Sequence, residues 1–171
     1  MKILRQLYDW TLSKANHPKA IWFLSLISFI ESSFFPIPPD IILIPMVIAN
    51  KLKAFWYAFV CTISSVLGGI VGYCIGSFFY TTAGIIIINY YALQDQFVTF
   101  ENLYNQYGIW IVLGAGFTPF PFKIITIASG VFHLNLLLFI LVAIIGRGMR
   151  FYLVATLLRV FGEVIKEYID R

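Results

Sequence analysis

Five charged residues lie inside the apolar segments of this sequence: Glu31, Asp40, Lys123, Arg147 and Arg150. Lysine and arginine attract anions such as phosphate, and a carboxylate in an apolar environment can take up and release a proton. An ionised group at the centre of a bilayer costs about 2.5–3.5 kcal/mol on insertion scales. We therefore expect these side chains to face a shared polar cavity, with the three cations binding an anionic substrate and the two carboxylates coupling its movement to protons.

A structural interpretation of the same charges stays open. Asp40 with Lys123, and Glu31 with one of the arginines, would form buried pairs that only hold two halves of the molecule together. Arg147 and Arg150 are three residues apart, so they share one face of a helix. Both interpretations predict that the five residues converge.

Other kinds of site are not indicated. The chain has no Ser-His-Asp order, no His/Cys cluster with metal-ligand spacing and no phosphate-cradling glycine loop, so we expect no enzyme activity, no metal and no cofactor. Cys61 and Cys74 stand alone in apolar runs and are expected to be buried packing residues rather than a disulfide. His17 and His133 lie at expected membrane interfaces. No basic patch with interleaved aromatic residues suggests a nucleic-acid partner.

Composition defines the solvent in which these charges must be positioned. The 171 residues are 60% hydrophobic and 12% charged, with a mean hydropathy of +0.87, whereas a soluble domain has roughly 25% charged residues. A water-soluble globule and a disordered chain are therefore excluded. Runs such as Ile85–Ile88 lack the alternation of a β-barrel strand. The composition predicts a single-domain, all-α polytopic membrane protein.

Prolines divide two of the apolar segments, 20–53 and 108–135. The prolines at the two breaks are Pro36, Pro38, Pro39, Pro119 and Pro121. Proline removes a backbone donor and obstructs the preceding helical turn, so each segment splits into two arms of about 20 Å or less at 1.5 Å per residue. The hydrocarbon core is about 30 Å thick. Both segments are therefore predicted to be re-entrant hairpins.

The distribution of charge assigns the remaining elements. The predicted elements are an interfacial amphipathic helix at 1–19, transmembrane helices at 54–80 and within 136–171, an external segment at 81–107 and a cytoplasmic tail. Nine of the twelve Lys and Arg residues fall on one predicted side, which places both termini in the cytoplasm by the positive-inside rule. No cleaved signal peptide is expected. Gly68, Gly72 and Gly76 suit close helix packing, with a dimer face as the alternative, so a homo-oligomer stays open.

The two proline breaks resemble each other. With a shift of 83 residues, Phe34–Pro45 aligns with Phe117–Ala128, and six of twelve positions are identical. Asp40 then stands opposite Lys123. One hairpin is predicted to open to the inside and the other to the outside, and each is followed by a full span. Such an inverted repeat places a transport site at the repeat interface near the midplane.

The first tip, the glycine-rich span and the second tip together resemble the DedA family, also called the VTT or SNARE-associated family, and most of all its short YqaA-like branch. The residues that carry the likeness are Glu31 with Pro36-Ile37-Pro38-Pro39-Asp40, Leu67-Gly68-Gly69, Gly72-Tyr73-Cys74-Ile75-Gly76 and Gly116-Phe117-Thr118-Pro119-Phe120-Pro121-Phe122-Lys123. The resemblance implies a bacterial inner-membrane protein linked to lipid translocation, proton-coupled transport and envelope integrity. It also carries the acids of the family's first hairpin over to Glu31 and Asp40.

The second hairpin departs from the family pattern. Many members have arginines three residues either side of the tip proline, and this chain has Gly116 and Phe122 there. Arg147 and Arg150 are the hypothesised replacements. The resemblance favours a transporter or flippase for an anionic lipid headgroup, with membrane lipids as its partners. The alternatives are a membrane scaffold for envelope integrity and an intramembrane enzyme acting on lipid phosphates.

Overall fold

The computed structural model describes residues 19–33 and 38–170, with side chains to Gly162. The predicted interfacial helix, His17 and the tip residue Pro36 lie outside the described residues. The described part is helical throughout, without strands. Its helices are α1 (Ala20–Ser33), α2 (Asp40–Ala49), α3 (Ala54–Phe79), α4 (Ile85–Tyr90), α5 (Gln94–Phe117), α6 (Phe122–Val131) and α7 (Leu136–Asp170).

Among the described residues, two helical stretches are long and apolar enough to cross a membrane. Lys51–Tyr90 contains 40 residues, and an 18-residue window within it has a mean hydropathy of 1.9; Leu136–Gly162 contains 27 residues, and its window has a mean hydropathy of 2.0. The first comprises a 3₁₀ turn at Lys51–Lys53, then α3, a π-helical turn at Tyr80–Gly84 and α4. It therefore continues ten residues beyond the span predicted at 54–80.

Both proline-containing segments break where the prolines predict. On either side of the first break, α1 has 14 residues and α2 has 10, so each is about 21 Å long or less at 1.5 Å per residue. After the second break, α6 is equally short with 10 residues. The preceding helix α5 has 24 residues and begins inside the segment predicted to be external. That arm is therefore much longer than the sequence suggested.

The two long helices run antiparallel. Phe55 near the start of α3 stacks on Tyr152 of α7, with ring centroids 5.9 Å apart, while Tyr73 near the end of α3 contacts Phe139 of α7 at 5.6 Å. Lys51 and Gly162 lie close to each other at one end. The basic residues before α3 and near the end of α7 therefore lie on the same side of the molecule.

Glycines allow the short helices to pack tightly on α3. A methyl group at Gly68 would meet the carbonyl oxygen of Phe29 in α1, and one at Gly76 would meet that of Ile127 in α6. These contacts confirm the prediction of close helix packing at the glycine stripe, and they are made within one chain. The order of the contacts also shows that α1 and α6 both run parallel to α3.

Two apolar clusters form the core, one at each end of the long helices. The first includes Leu43, Ala58 and Phe151, and the second includes Val112, Phe139 and Ala143. Buried polar residues lie between the clusters at the same level of both long helices: Thr62, Ser64, Ser65 and Arg147. The fold thus encloses a polar layer at mid-height.

The cysteine prediction is half right. Cys61 is buried in the first cluster, whereas Cys74 is exposed on α3. Both are free thiols, so the structure contains no disulfide between them.

Candidate functional site

The polar layer contains an ion pair between the last helix and the first. Arg147 of α7 donates through Nη2 to Oε2 of Glu31 in α1, at 2.5 Å. The arginine side chain is 0% exposed and that of Glu31 is 13% exposed. Such a pair is retained in an apolar interior only when further contacts satisfy the guanidinium.

Those contacts come from α3, from α6 and from α7 itself. The Arg147 guanidinium lies over the rings of Phe122 in α6 and Phe151 in α7, 5.0 and 4.8 Å from their centroids. Its Nε donates to Ser65 Oγ of α3 at 2.5 Å. Ser65 in turn hydrogen-bonds Ser32 of α1, with their oxygens 2.6 Å apart. A planar cation close to two aromatic rings is well suited to this environment, since cation–π attraction is strongest where water is excluded.

A second ion pair lies one helical turn further along α7. Arg150 Nη2 is 2.5 Å from Oδ2 of Asp40, the first residue of α2. Their side chains are 16% and 22% exposed, so this pair is more accessible than the first. The carboxylate also suits its position, because an acid in the first turn of a helix interacts favourably with the helix dipole.

A cavity of about 210 Å³ lies where the two proline breaks meet. Its described lining consists of Glu31, Pro38, Pro119, Phe120, Pro121, Lys123 and Arg150. Cations and a carboxylate therefore share the cavity with an apolar proline and phenylalanine rim. That combination suits a molecule with a charged group attached to an apolar part.

Lys123 is the third cation among the five charged residues, which include only two carboxylates. Among the described residues, the ion pairs join Arg147 to Glu31 and Arg150 to Asp40, and Lys123 forms none. It lies in the first turn of α6, whose N-terminal position Pro121 provides no side-chain cap. A cation beside uncapped helix N–H groups favours an anion, since the helix dipole adds to its positive potential.

The structure brings the five predicted charges together, and Glu31 pairs with an arginine, Arg147, as the structural interpretation predicted. Asp40, however, pairs with Arg150 rather than with Lys123. Lys123, Arg150 and Glu31 line the cavity, while Arg147 is buried behind it. Of the tip prolines, Pro38, Pro119 and Pro121 line the cavity and Pro39 is buried.

Sequence reasoning missed the polar contacts of α1 with α3. Ser25 bonds Ser64 at 2.7 Å, Ser28 donates to the Cys61 carbonyl at 2.8 Å, and Ser33 donates to the Gly68 carbonyl at 3.1 Å. Serines 25, 28 and 32 are spaced three and four residues apart, so they share a helix face. That spacing in an apolar helix was the available signal, since small hydroxyl residues mark helix interfaces in membranes.

No metal centre accompanies these groups in the described segments, where no three His, Cys, Asp or Glu residues lie close enough to hold an ion. Two buried atoms of the ion pairs, Asp40 Oδ1 and Arg147 Nη1, have no hydrogen-bond partner there. Both can therefore bond a further small polar group.

Comparison with known proteins identifies the family. The model of the VTT domain matches residues 37–160. This range includes α2 and α6, the helices that follow the two proline breaks, and also Arg147 and Arg150 of α7. The chain belongs to the VTT domain, or DedA, family. Membership together with the two long apolar helices makes it a membrane protein. Within this DedA protein, Asp40, Lys123, Arg147 and Arg150 lie in the matched region, whereas Glu31 precedes it.

Two bacterial relatives cover nearly the whole chain. An uncharacterised protein of Haemophilus influenzae is 40% identical over 164 residues, which cover 95% of this chain and 84% of the relative. An uncharacterised homologue from Histophilus somni is 42% identical over 157 residues, which cover 92% and 82%. No solved structure matches the chain significantly.

Proposed function

We propose that this DedA protein moves an anionic lipid between membrane leaflets, holding the phosphate-bearing headgroup in the cavity between its two proline breaks. The observation that carries the proposal is the composition of that cavity, where Lys123 and Arg150 face Glu31 beside apolar Pro119 and Phe120. An amphiphile needs both kinds of surface. An anion without an apolar part would gain no stabilisation from the apolar lining residues.

The balance of charge supports an anionic group. The layer contains three cations and two carboxylates, and each carboxylate already has an arginine at 2.5 Å. One positive charge is therefore left at Lys123. Since an unpaired cation at membrane depth costs about 2.5–3.5 kcal/mol on insertion scales, an anion bound there would be stabilised. Phosphate suits a lysine, which acts as a compact point charge.

The two breaks have opposite electrostatic character, which supports the second as the seat of the anion. At the first, Asp40 supplies its own negative charge to the N-terminus of α2. At the second, the N-terminus of α6 has Lys123 in place of an acid. A headgroup phosphate would complete the second N-terminus much as Asp40 completes the first.

The departure from the family pattern has a structural counterpart. Gly116 and Phe122 stand where the resemblance expects arginines, and both lie against α7 at Arg147: a methyl group added at Gly116 would lie 3.3 Å from the Arg147 backbone nitrogen, and the Phe122 ring lies 5.0 Å from its guanidinium carbon. These contacts support the hypothesis that α7 supplies the cationic charge here.

We further propose that the segments around the two breaks are re-entrant hairpins of an inverted repeat. The short helix after each break packs on the long helix of the other half-repeat, since α6 lies on α3 and α2 on α7. Irregular backbone at membrane depth is tolerated where it lines a cavity, as Pro119 and Pro121 do. The family resemblance supports a location in the bacterial inner membrane, and the positive-inside rule supports an orientation with both termini in the cytoplasm.

Proton coupling belongs to the same proposal. When the headgroup engages Arg150, the carboxylate of Asp40 loses its partner and accepts a proton; Glu31, at the cavity wall, is the second candidate. The proposal includes no enzymatic step, cofactor or nucleic acid. The lipid leaves chemically unchanged.

Leaflet exchange in proteoliposomes tests the function. Fluorescent phosphatidylglycerol and a labelled diacylglycerol lacking phosphate are each placed in both leaflets, and dithionite quenching reports the exchange rate at several pH values. We expect wild-type protein to accelerate phosphatidylglycerol, and Lys123→Gln and Arg150→Gln to lower that rate at least tenfold. Lys53→Gln, an exposed cation far from the cavity, is the matched control and should retain the wild-type rate.

Three outcomes would contradict the proposal. Equal acceleration of the phosphate-free lipid would remove the role of the headgroup. Normal exchange after neutralising Lys123 and Asp40 together would remove the role of the cavity charges. A changed lipid mass after incubation, detected by mass spectrometry, would favour an enzyme acting on lipid phosphates.

A further inference from the structure

Arg147 differs from the other two cations of the polar layer in the number of elements that it joins. Its guanidinium contacts Glu31 and Ser32 of α1, Ser65 of α3 and Phe122 of α6, and its own helix contributes Phe151. These elements include the helix before the first break and the helix after the second. One side chain thus connects both sides of the cavity.

The same side chain is withdrawn from the cavity. Arg147 is 0% exposed, whereas Arg150 and Lys123 line the cavity. The rings of Phe122 and Phe151 lie about 5 Å from the guanidinium carbon, and its Nε and Nη2 are already hydrogen-bonded. The remaining nitrogen, Nη1, has no hydrogen-bond partner among the described residues but is buried as well, so a headgroup phosphate in the cavity does not reach Arg147 in this arrangement.

The residues that Arg147 holds are those that shape the cavity. Glu31 is part of the lining, and Phe122 immediately precedes Lys123 at the start of α6. Fixing the Phe122 ring fixes the first turn of α6 and thereby the position of Lys123. Holding Glu31 at 2.5 Å also keeps that carboxylate from pairing with Lys123.

We infer that Arg147 is a positioning residue, which sets the separation of Glu31 and Lys123 across the cavity without touching the transported group. The positioning role is argued from the buried contacts of Arg147, and its expected effect on lipid exchange rests on the proposed function. It assigns the two arginines of α7 different tasks: Arg150 acts as a charge in the cavity, and Arg147 acts as a flat, stacked linker. The shape of the guanidinium matters at 147, whereas its charge matters at 150.

Matched lysine and glutamine substitutions distinguish the two tasks. A lysine preserves the charge but has neither the planar face nor the several donors of a guanidinium. We expect Arg150→Lys to recover at least a third of the phosphatidylglycerol exchange that Arg150→Gln loses. We expect Arg147→Lys to remain within twofold of Arg147→Gln. Recovery at 147 equal to that at 150 would overturn the inference, provided that all four variants elute as monodisperse particles in detergent.

Chemical modification of the wild-type protein supplies a second test that needs no variant and no transport. Phenylglyoxal, an arginine-selective dicarbonyl, is applied to the detergent-solubilised chain, and peptide mass spectrometry follows each arginine. Exposed Arg159 reports the activity of the reagent. We expect Arg147 to react at least ten times more slowly than Arg150, and equal rates would overturn the inference. Because this result is independent of lipid exchange, failure of the proposed function and failure of the positioning role can be told apart.

Discussion

Arg150 Nη2 lies 2.5 Å from Asp40 Oδ2, so that the middle of α7 is tied to the first residue of α2. The two residues are 110 positions apart in the sequence. The pair joins the short helix of the first half of the chain to the long helix of the second half. It also deprives Lys123 of the partner that the alignment of the two breaks suggested.

Exchanging the charges of this pair is expected to preserve stability. Asp40→Arg or Arg150→Asp alone places like charges together and removes a charged hydrogen bond, with an expected loss of about 1.5–3 kcal/mol. The double variant Asp40→Arg/Arg150→Asp restores attraction and should recover at least half of the lost melting temperature in detergent. The incomplete recovery reflects the helix dipole, which favours an acid at position 40.

The control for that exchange is Asp40→Arg/Lys123→Asp, which swaps the charges of the pair suggested by the sequence alignment. Because no Asp40–Lys123 ion pair exists among the described residues, this variant should recover little. Equal recovery in both double variants would show that the pairing of Asp40 is not specific to Arg150.

Removing the charge of Glu31 is expected to be more damaging than removing that of Asp40. Glu31→Gln leaves the fully buried Arg147 without its counter-ion, and breaking a buried pair typically costs about 3–5 kcal/mol. Asp40→Asn affects a pair whose members are 16% and 22% exposed, so solvent compensates part of the loss. Melting temperatures of the two isosteric variants in the same detergent provide the comparison. A smaller shift for Glu31→Gln would contradict the burial argument.

The breaks of the fold were predictable from local chemistry, since proline cannot continue a helix. The helices α2 and α6 begin directly after Pro39 and Pro121. The ends of the remaining helices were less predictable. No charged residue or proline occurs from Ala54 to Gln94, so nothing in the sequence marked the end of the span, and the helix continues to Tyr90. The polarity of residues 81–107 predicted an external segment but gave no sign that a helix, α5, begins within it.

The convergence of the five charges was predictable because apolar surroundings leave them no other environment. A pair between Glu31 and an arginine was one of the expected arrangements, and it is present, but the partner of Asp40 was not predicted. The repeat alignment places Asp40 and Lys123 at equivalent positions after the two breaks. It contains no information on the rotation of α7 about its axis. That rotation decides that Arg147 turns toward Phe122 and Arg150 toward Asp40. No feature of the sequence predicted that Arg147 would be buried against the rings of Phe122 and Phe151.

The two cysteines are expected to differ sharply in reactivity. Cys74 is exposed and Cys61 is buried among the residues of the first apolar cluster. In detergent, N-ethylmaleimide should add once to the native chain and twice after denaturation in dodecyl sulfate, as measured by intact mass. Cys74→Ser should abolish the native addition, while Cys61→Ser should leave it unchanged. Two rapid additions to the native protein would show that α1 does not cover Cys61.

Alanine substitution at two glycines tests the close packing that holds the short helices against α3. A methyl group at Gly68 would meet the Phe29 carbonyl oxygen, and one at Gly130 would meet the Tyr73 carbonyl oxygen. Because a backbone carbonyl cannot rotate away, the helices must separate, and we expect a loss of about 1–3 kcal/mol or more at each site. The fall in melting temperature in detergent measures the effect.

Gly114→Ala is the matched control for those two substitutions. Gly114 also lies inside a long helix, α5, and a methyl group there meets nothing within 4 Å. Alanine favours the helix over glycine by about 1 kcal/mol, so this variant should keep or slightly raise the melting temperature. If all three variants lost stability alike, the cause would be a general intolerance of substitution in this bundle. A loss confined to Gly68→Ala and Gly130→Ala would instead show that the direct backbone contacts of α1 and α6 with α3 stabilise the bundle.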